Sequence, residues 1–186
     1  MSVILASASP RRKELLGFIY NDFTVCVSDV KEETEAGLTA EETVRALAVL
    51  KGEAVFAKHP DDTVISADTV VVLDGSILGK PRSREEAFSM LSALSGKTHC
   101  VYTGVAVFSK EKNFCFADKT EVTFWELTNE EITAYIDSGE PFDKAGGYGI
   151  QGRGSVMIKS ITGDYYNVMG LPVALLYRKL KENGLL

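Results

Sequence analysis

Histidine is scarce in this chain: His59 and His99 are the two present in 186 residues. With no G-x-S-x-G stretch either, a serine or cysteine nucleophile served by a histidine base fits poorly. Cysteine is scarce too. Cys26, Cys100 and Cys115 are odd in number and form no C-x-x-C pair, which argues against a disulfide framework or a zinc site and suits reduced thiols. A basic excess is missing: a formal net charge of −6 and a pI near 5.0 argue against stable binding along a nucleic-acid backbone, so any anion bound is small and held locally. No apolar run approaches the roughly 18 residues that a spanning helix needs. No basic segment followed by a long apolar stretch opens the chain, so the expectation is a soluble, cytoplasmic protein without a membrane partner.

Two phosphate-binding look-alikes also fall away. Residues Gly147 to Gly152, "GYGIQG", fit G-x-G-x-x-G, but they follow a loop and precede an expected strand, whereas a dinucleotide site needs a strand before and a helix after. Gly96-Lys97-Thr98 resembles the end of a P-loop, yet Leu91 stands where its first glycine is required.

What the chain does have is material for a core, with 45% hydrophobic and 25% charged residues. That suits one globular domain over residues 1–186, or two small lobes sharing a core. The patterning predicts strands over 2–6, 23–27, 63–73, 98–108 and 114–125, the last two paired through Lys110 to Asn113. It predicts helices over 10–17 and from Thr39 to about Lys58, a glycine-rich loop over 139–154, a strand over 155–161 and a helix over 171–183 ended by Gly184. Capping-box patterns mark three helix starts: Thr39 with Glu42, Ser83 with Glu86, and Thr128 with Glu131. Strands and helices mix without strict alternation and without repeats or linkers, which predicts an α/β fold with a mixed sheet and flanking helices.

Several polar residues sit where local rules disfavour them. Ser9 and Pro10 make a good helix start, but Arg11, Arg12 and Lys13 then fill a first turn that favours anionic side chains. Asp68 interrupts the β-branched run "VISADTVVVL", where a buried carboxylate needs a cation or hydrogen bonds; a cap at the strand's exit is the equal alternative. Glu32 and Glu33 follow an apolar strand and alone read as a solvated loop, or else share a divalent cation with Asp68. Lys80, Arg82 and Lys144 are by themselves ordinary surface cations. Taken together, helix-start cations, a loop lysine, acidic residues able to hold Mg²⁺ and a glycine-rich loop fit a polyphosphate site, with a bound anion completing the helix start.

The stretches "ASASPRRKELL", "SADTVV", "LGKPRSREEAFSMLSALSGKTHCVYTGV" and "EPFDKAGGYGIQGRG" resemble the successive motifs of the Maf family of nucleoside triphosphate pyrophosphatases, in order and spacing, from Leu5 to about Pro172. One departure is "LAVLKGEA", where Gly52 replaces the family's usual alanine and leaves Lys51 in place. The resemblance implies hydrolysis between the α and β phosphates, with a divalent metal, Mg²⁺ or Mn²⁺. It implies an elongated two-lobed fold similar to inosine triphosphate pyrophosphatases, with the site in a cleft between lobes. On it, Asp68 matches the proton acceptor; Ser7, Arg11, Arg12, Lys51 and Lys80 match phosphate-binding positions; and Glu32 joins Asp68 at the metal. Arg12, Thr69 and Gln151 match the positions that mark the subclass acting on dTTP and UTP. A glutamine amide offers a pyrimidine edge both an acceptor and a donor.

The alternatives are a 7-methyl-GTP-type or inosine-type pyrophosphatase, a phosphohydrolase acting at the γ end, and a non-enzymatic nucleotide-binding regulator of septum formation. The biological role implied is removal of non-standard nucleotides or restraint of cell division. The expected partner is the nucleoside triphosphate, and a homodimer stands as one option for assembly.

Overall fold

A computed structural model describes residues 2–33 and 37–186. Among the described residues, seven strands form one mixed sheet: β1 (Val3–Leu5), β2 (Thr24–Val25), β3 (Thr63–Leu73), β4 (Ser76–Leu78), β5 (Thr98–Phe108), β6 (Asn113–Phe124) and β7 (Ile158–Thr162). Their order is β2-β1-β3-β5-β6-β7, with β4 beside β3. β1 pairs parallel with both β2 and β3, while β3–β4 and β6–β7 are antiparallel. The α-helices among the described residues are α1 (Pro10–Leu16), α2 (Ala40–Phe56), α3 (Arg84–Leu94), α4 (Asn129–Asp137), α5 (Tyr165–Met169) and α6 (Val173–Glu182). The expected mixed α/β architecture is therefore present.

The chain divides into two compact units, and β3, β5 and β6 each contribute residues to both. The first unit comprises residues up to Thr69, Thr103–Asp118 and Gly170–Leu186; the second comprises Val70–Tyr102 and Lys119–Met169. In the first, Val44, Ala48 and Val55 on one face of α2 are buried, and Ala48 and Val55 pack with Ile4, Val64, Ala106 and Phe108 of the sheet. In the second, Leu91 and Leu94 of α3 and Ile132 and Ile136 of α4 close over Val101, Val122 and Phe124.

Local signals account for most boundaries. Thr39 and Thr128 form complete capping boxes with Glu42 and Glu131. Ser83 caps α3 through the Glu86 amide, but the Glu86 carboxylate accepts instead from the Arg82 amide at 2.7 Å, so the third box is only half made. The expected strand over 155–161 starts later. Gly152–Met157 is a 3₁₀ segment, and pairing with β6 begins at Ile158. The glycine-rich stretch before it holds two further 3₁₀ segments, Glu140–Asp143 and Ala145–Gly147, so "GYGIQG" has no strand before it and no α-helix after it. No helix among the described residues is long and apolar enough to cross a membrane.

Candidate active site

In the first unit the carboxyl edge of the parallel strands carries the polar residues singled out above. β1 runs out into Ser7, and β2 leads on towards Glu32. β3, in register with β1 at Leu5 and Ile65, continues three residues further to Asp68, roughly 10 Å of strand. This edge of a parallel sheet is where α/β proteins bind ligands, because loops and strand ends converge there without blocking the ladder.

Asp68 is a buried carboxylate, and Lys51 supplies its cation. The Lys51 ammonium donates to Asp68 Oδ1 at 2.6 Å and lies 3.0 Å from Glu32 Oε1. The Lys51 and Asp68 side chains are 12% and 11% exposed, while Glu32 is 58% exposed, so the first pair is desolvated and the second faces water. The helix seat explains the aim. Ser66 Oγ donates to the Ala48 carbonyl at 2.6 Å, joining β3 to α2 one turn before Lys51. Ser66 and Asp68 share a strand face, so the bond that fixes α2 on β3 also brings Lys51 to Asp68. Gly52 makes that seat possible: a Cβ there would lie 2.4 Å from the Phe108 ring and 2.6 Å from Ser66 Oγ.

Arg12 is built in from three sides. Ser9 caps α1, accepting from the Arg12 amide at 3.4 Å, and Pro10 opens the helix as expected. The guanidinium donates from Nε to the Gly170 carbonyl at 2.9 Å, from Nη1 to Ser7 Oγ at 3.2 Å and from Nη2 to Thr69 Oγ1 at 3.0 Å. Thr69 Oγ1 in turn lies 2.9 Å from Thr103 Oγ1. Gly170 has φ +111°, and a Cβ on it would sit 3.3 Å from Thr69 Oγ1 and 3.5 Å from Arg12 Nε, so a side chain would crowd the cluster. Desolvation holds the Arg12 guanidinium below the usual arginine range; Asp68 opposes that shift, neighbouring Arg11 adds to it, and Glu32 opposes it. Such a cation, poorly hydrated and with donors to spare, is prepared for an anion or for carbonyl oxygens.

Ser7, Arg11, Arg12, Glu32, Lys51, Asp68 and Thr69 thus all belong to the first unit. Lys80 and Gln151 belong to the second, Lys80 exposed two residues past β4 and Gln151 half-buried between 3₁₀ segments. The Gln151 loop is anchored within its own unit. The Gly149 amide donates to Tyr135 Oη at 3.1 Å, the Arg153 amide to Glu140 Oε1 at 3.2 Å, and Tyr148 Oη lies 2.7 Å from His99 Nε2. Burial pushes the Tyr135 phenol up to about 12 and His99 down to about 4. Lys144 spends its ammonium inside the loop, on the Glu140 carbonyl at 2.7 Å and Asp143 Oδ1 at 2.6 Å, rather than as the loop cation expected for phosphate.

Sequence reasoning missed Thr103 and Gly170. Thr103 lies inside a motif stretch but looks like any β-strand threonine, and the contribution of Gly170 is a backbone carbonyl, which no residue type announces.

A family profile described as "Maf-like protein" matches residues 2–183. A protein named dTTP/UTP pyrophosphatase from Bacillus cereus is 54% identical over 180 residues, 97% of this chain and 94% of that protein. One of the same name from Bacillus cytotoxicus is 55% identical over 179 residues, 96% of this chain and 94% of its own length. Among solved structures, the Staphylococcus aureus Ham1 protein matches with a TM-score of 0.59 at 17% identity, covering 98% of this chain and all of that one. A HAM1 protein from Coxiella burnetii matches with a TM-score of 0.57 at 14% identity, covering 98% and 99%. At those identities the two structures speak for the shared fold alone.

Proposed function

The chain belongs to the Maf-like protein family, and from that premise we propose that it hydrolyses dTTP and UTP to the nucleoside monophosphate and pyrophosphate, as a single catalytic domain in the cytoplasm. The carrying observation is the placement in one unit of Asp68 and Lys51 beside the Arg12–Thr69 cluster, the residue types that such a reaction needs at its nucleophile, its phosphates and its base.

The reaction adds water to the α phosphorus and breaks the bond to the oxygen bridging towards the β phosphate. The attacking water loses one proton, and pyrophosphate leaves with the bridging oxygen. Asp68 takes that proton, its carboxylate oriented by the Lys51 ammonium on Oδ1. Ser7, Arg11, Arg12, Lys51 and Lys80 offset charge on the phosphates, and the preset guanidinium does so without reorganising. Arg12, Thr69 and Gln151 select the base.

A divalent metal fits the donor set. Asp68 and Glu32 converge on one position that already accepts positive charge, that of the Lys51 ammonium. Among the described residues no group of three or more His, Cys, Asp or Glu side chains could hold a metal ion unaided. Mg²⁺ or Mn²⁺ would be held by Glu32 and Asp68, with substrate phosphates and waters as the remaining ligands. When bound, such an ion offsets phosphate charge and makes water more acidic.

Incubation of the purified protein with Mg²⁺ or Mn²⁺ and a nucleotide panel tests the reading. The expected products from dTTP and UTP are monophosphate and pyrophosphate. Orthophosphate as the first product rejects it in favour of γ-end hydrolysis, and binding without turnover rejects it in favour of a regulator.

A further inference from the structure

We propose that Glu140 is a positioning residue for base selection: its one carboxylate ties down the chain on both sides of Gln151 and so sets where the glutamine amide meets a pyrimidine. This rests on the reading of Gln151 as a base-selecting residue, and it extends that reading to a residue outside the expected set.

Gln151 stands in the middle of residues 149–153, a stretch without α-helix or strand to hold it. Glu140 secures the chain two residues to either side. On one side the Arg153 amide donates to Glu140 Oε1 at 3.2 Å. On the other the Gly149 amide donates to Tyr135 Oη at 3.1 Å, and the Tyr135 side chain is itself hydrogen-bonded to the Glu140 side chain. A backbone amide can only donate and an ionised carboxylate can only accept, so the tyrosine accepts from Gly149 and spends its own hydrogen on Glu140. Gly152 lets the backbone come this close: at φ +70°, a Cβ on it would stand 3.1 Å from each oxygen of the Glu140 carboxylate. Glu140 is half-buried and its own backbone is pinned, the amide donating to Ser138 Oγ at 3.3 Å and the carbonyl accepting from the Lys144 ammonium at 2.7 Å. Bonds to an ionised acceptor are roughly twice as strong as neutral ones, so a single carboxylate is an effective anchor for both ends. A glutamine amide reads a base edge only where its donor and its acceptor both face their partners, which a loose loop does not maintain. Asp68 and Lys51 belong to the first unit and Glu140 to the second, so loosening this loop costs selection of the base before it costs the chemistry at phosphorus.

The test measures kcat and KM for UTP and GTP in wild type, Glu140→Ala, Glu140→Gln, Tyr135→Phe, Gln151→Ala and the Glu140→Ala, Gln151→Ala double variant. Glu140→Ala should lower the UTP to GTP ratio of kcat/KM by roughly 3- to 10-fold, the worth of one hydrogen bond to the base, with the loss in KM for UTP. Gln151→Ala should lower the ratio at least as far. Adding Glu140→Ala to Gln151→Ala should lower it no further, because the side chain through which Glu140 acts is gone. Glu140→Gln, which keeps a carbonyl acceptor for the Arg153 amide, should retain most of the ratio, and Tyr135→Phe, which removes the link to Gly149 alone, should lose part of it; these two carry the test should Glu140→Ala not fold. An unchanged ratio in Glu140→Ala and Tyr135→Phe, or a further drop in the double variant, overturns the assignment to Glu140 and leaves the functional reading standing. A wild-type ratio in Gln151→Ala fails the reading of Gln151, and wild-type protein that releases no pyrophosphate from UTP fails the functional reading itself; either result takes the inference with it.

Discussion

Lys51 reaches Asp68 across the seat of α2 on β3, ammonium to carboxylate at 2.6 Å, and holds Glu32 at 3.0 Å with the same nitrogen. The candidate base and the candidate metal ligands are thus organised by one cation. Removing a partner from a desolvated pair leaves an uncompensated charge, which costs more than the pair itself contributes.

Replacing Lys51 with Met should therefore destabilise the metal-free protein by about 1–3 kcal/mol, the usual cost of stranding a buried polar group. Two carboxylates would then face each other without an ammonium, and Mn²⁺ should raise the melting temperature of the variant more than that of wild type. Thermal melts with and without Mn²⁺ read this directly. An equal Mn²⁺ shift in both proteins would place the metal away from Glu32 and Asp68.

Asp68→Asn keeps the shape and a hydrogen-bond acceptor for Lys51 while removing the proton acceptor. Turnover should fall by about 10² to 10⁴, the range typical of losing a general base. Circular dichroism and a melt should show a folded protein. Full turnover in a folded variant would move the base elsewhere, with Glu32 the next carboxylate on the same ammonium.

Arg12 shows where the sequence reading stops. The cations in the first turn of α1 stand out as an anomaly, and Arg12 among them is bonded to Ser7, Thr69 and the Gly170 carbonyl at the candidate site. The sequence does not show that Arg12 also holds the first unit together, because its acceptors, Ser7, Thr69 and the Gly170 carbonyl, are gathered by tertiary contact across a sequence separation of up to 158. Arg12→Ala should accordingly lower apo stability by roughly 1–3 kcal/mol, since three acceptors lose their donor. Relief of the helix-dipole repulsion, only about 0.3–1 kcal/mol, would be outweighed. A melting temperature equal to or above wild type would show that these bonds carry no net stability and that the arginine serves the ligand alone.

The same division holds elsewhere. Strand and helix identities were legible where period and capping are local, as over Thr63–Leu73 and at Thr39 and Thr128. The 3₁₀ segment over Gly152–Met157 was not, because the strand pairing that ends it is a long-range choice made by β6.

Gly52 is a second case in which packing decides. In an exposed helix interior, alanine in place of glycine gains about 1 kcal/mol of propensity. Here the added Cβ would stand 2.4 Å from the Phe108 ring and 2.6 Å from Ser66 Oγ, and overpacking of that kind costs about 1–3 kcal/mol. Gly52→Ala should be net destabilising, and shortening the ring in a Gly52→Ala, Phe108→Leu double variant should recover part of the loss. Urea melts of the two singles and the double give the coupling, and additivity would mean that residues 52 and 108 do not compete for space.

His99 gives the pH prediction. It is 2% exposed, sits edge-on to Phe124 and Tyr148 at 5.1 and 5.3 Å between ring centroids, and lies 2.7 Å from Tyr148 Oη through Nε2, with Nδ1 buried and without a partner among the described residues. Burial therefore holds it neutral down to about pH 4, whereas in the unfolded chain it titrates at its ordinary 6.5. Above pH 6.5 the ring is neutral in both states and costs nothing. Between 6.5 and 4 the unfolded chain takes up a proton that the folded protein refuses, so stability falls as pH falls, by about 1.4 kcal/mol per unit and roughly 3 kcal/mol in all. Carboxylates add their own acid slope, so the reading is the difference between wild type and His99→Gln, which cannot titrate. Urea unfolding from pH 7 to pH 4 should show a steeper loss in wild type than in the variant, most of it between 6 and 4.5. Because Tyr148 lies three residues before Gln151, the same titration should loosen the loop that carries the candidate base-reading glutamine. Parallel pH curves for the two proteins would mean that the ring takes its proton without leaving the core, and that the anchor survives acid.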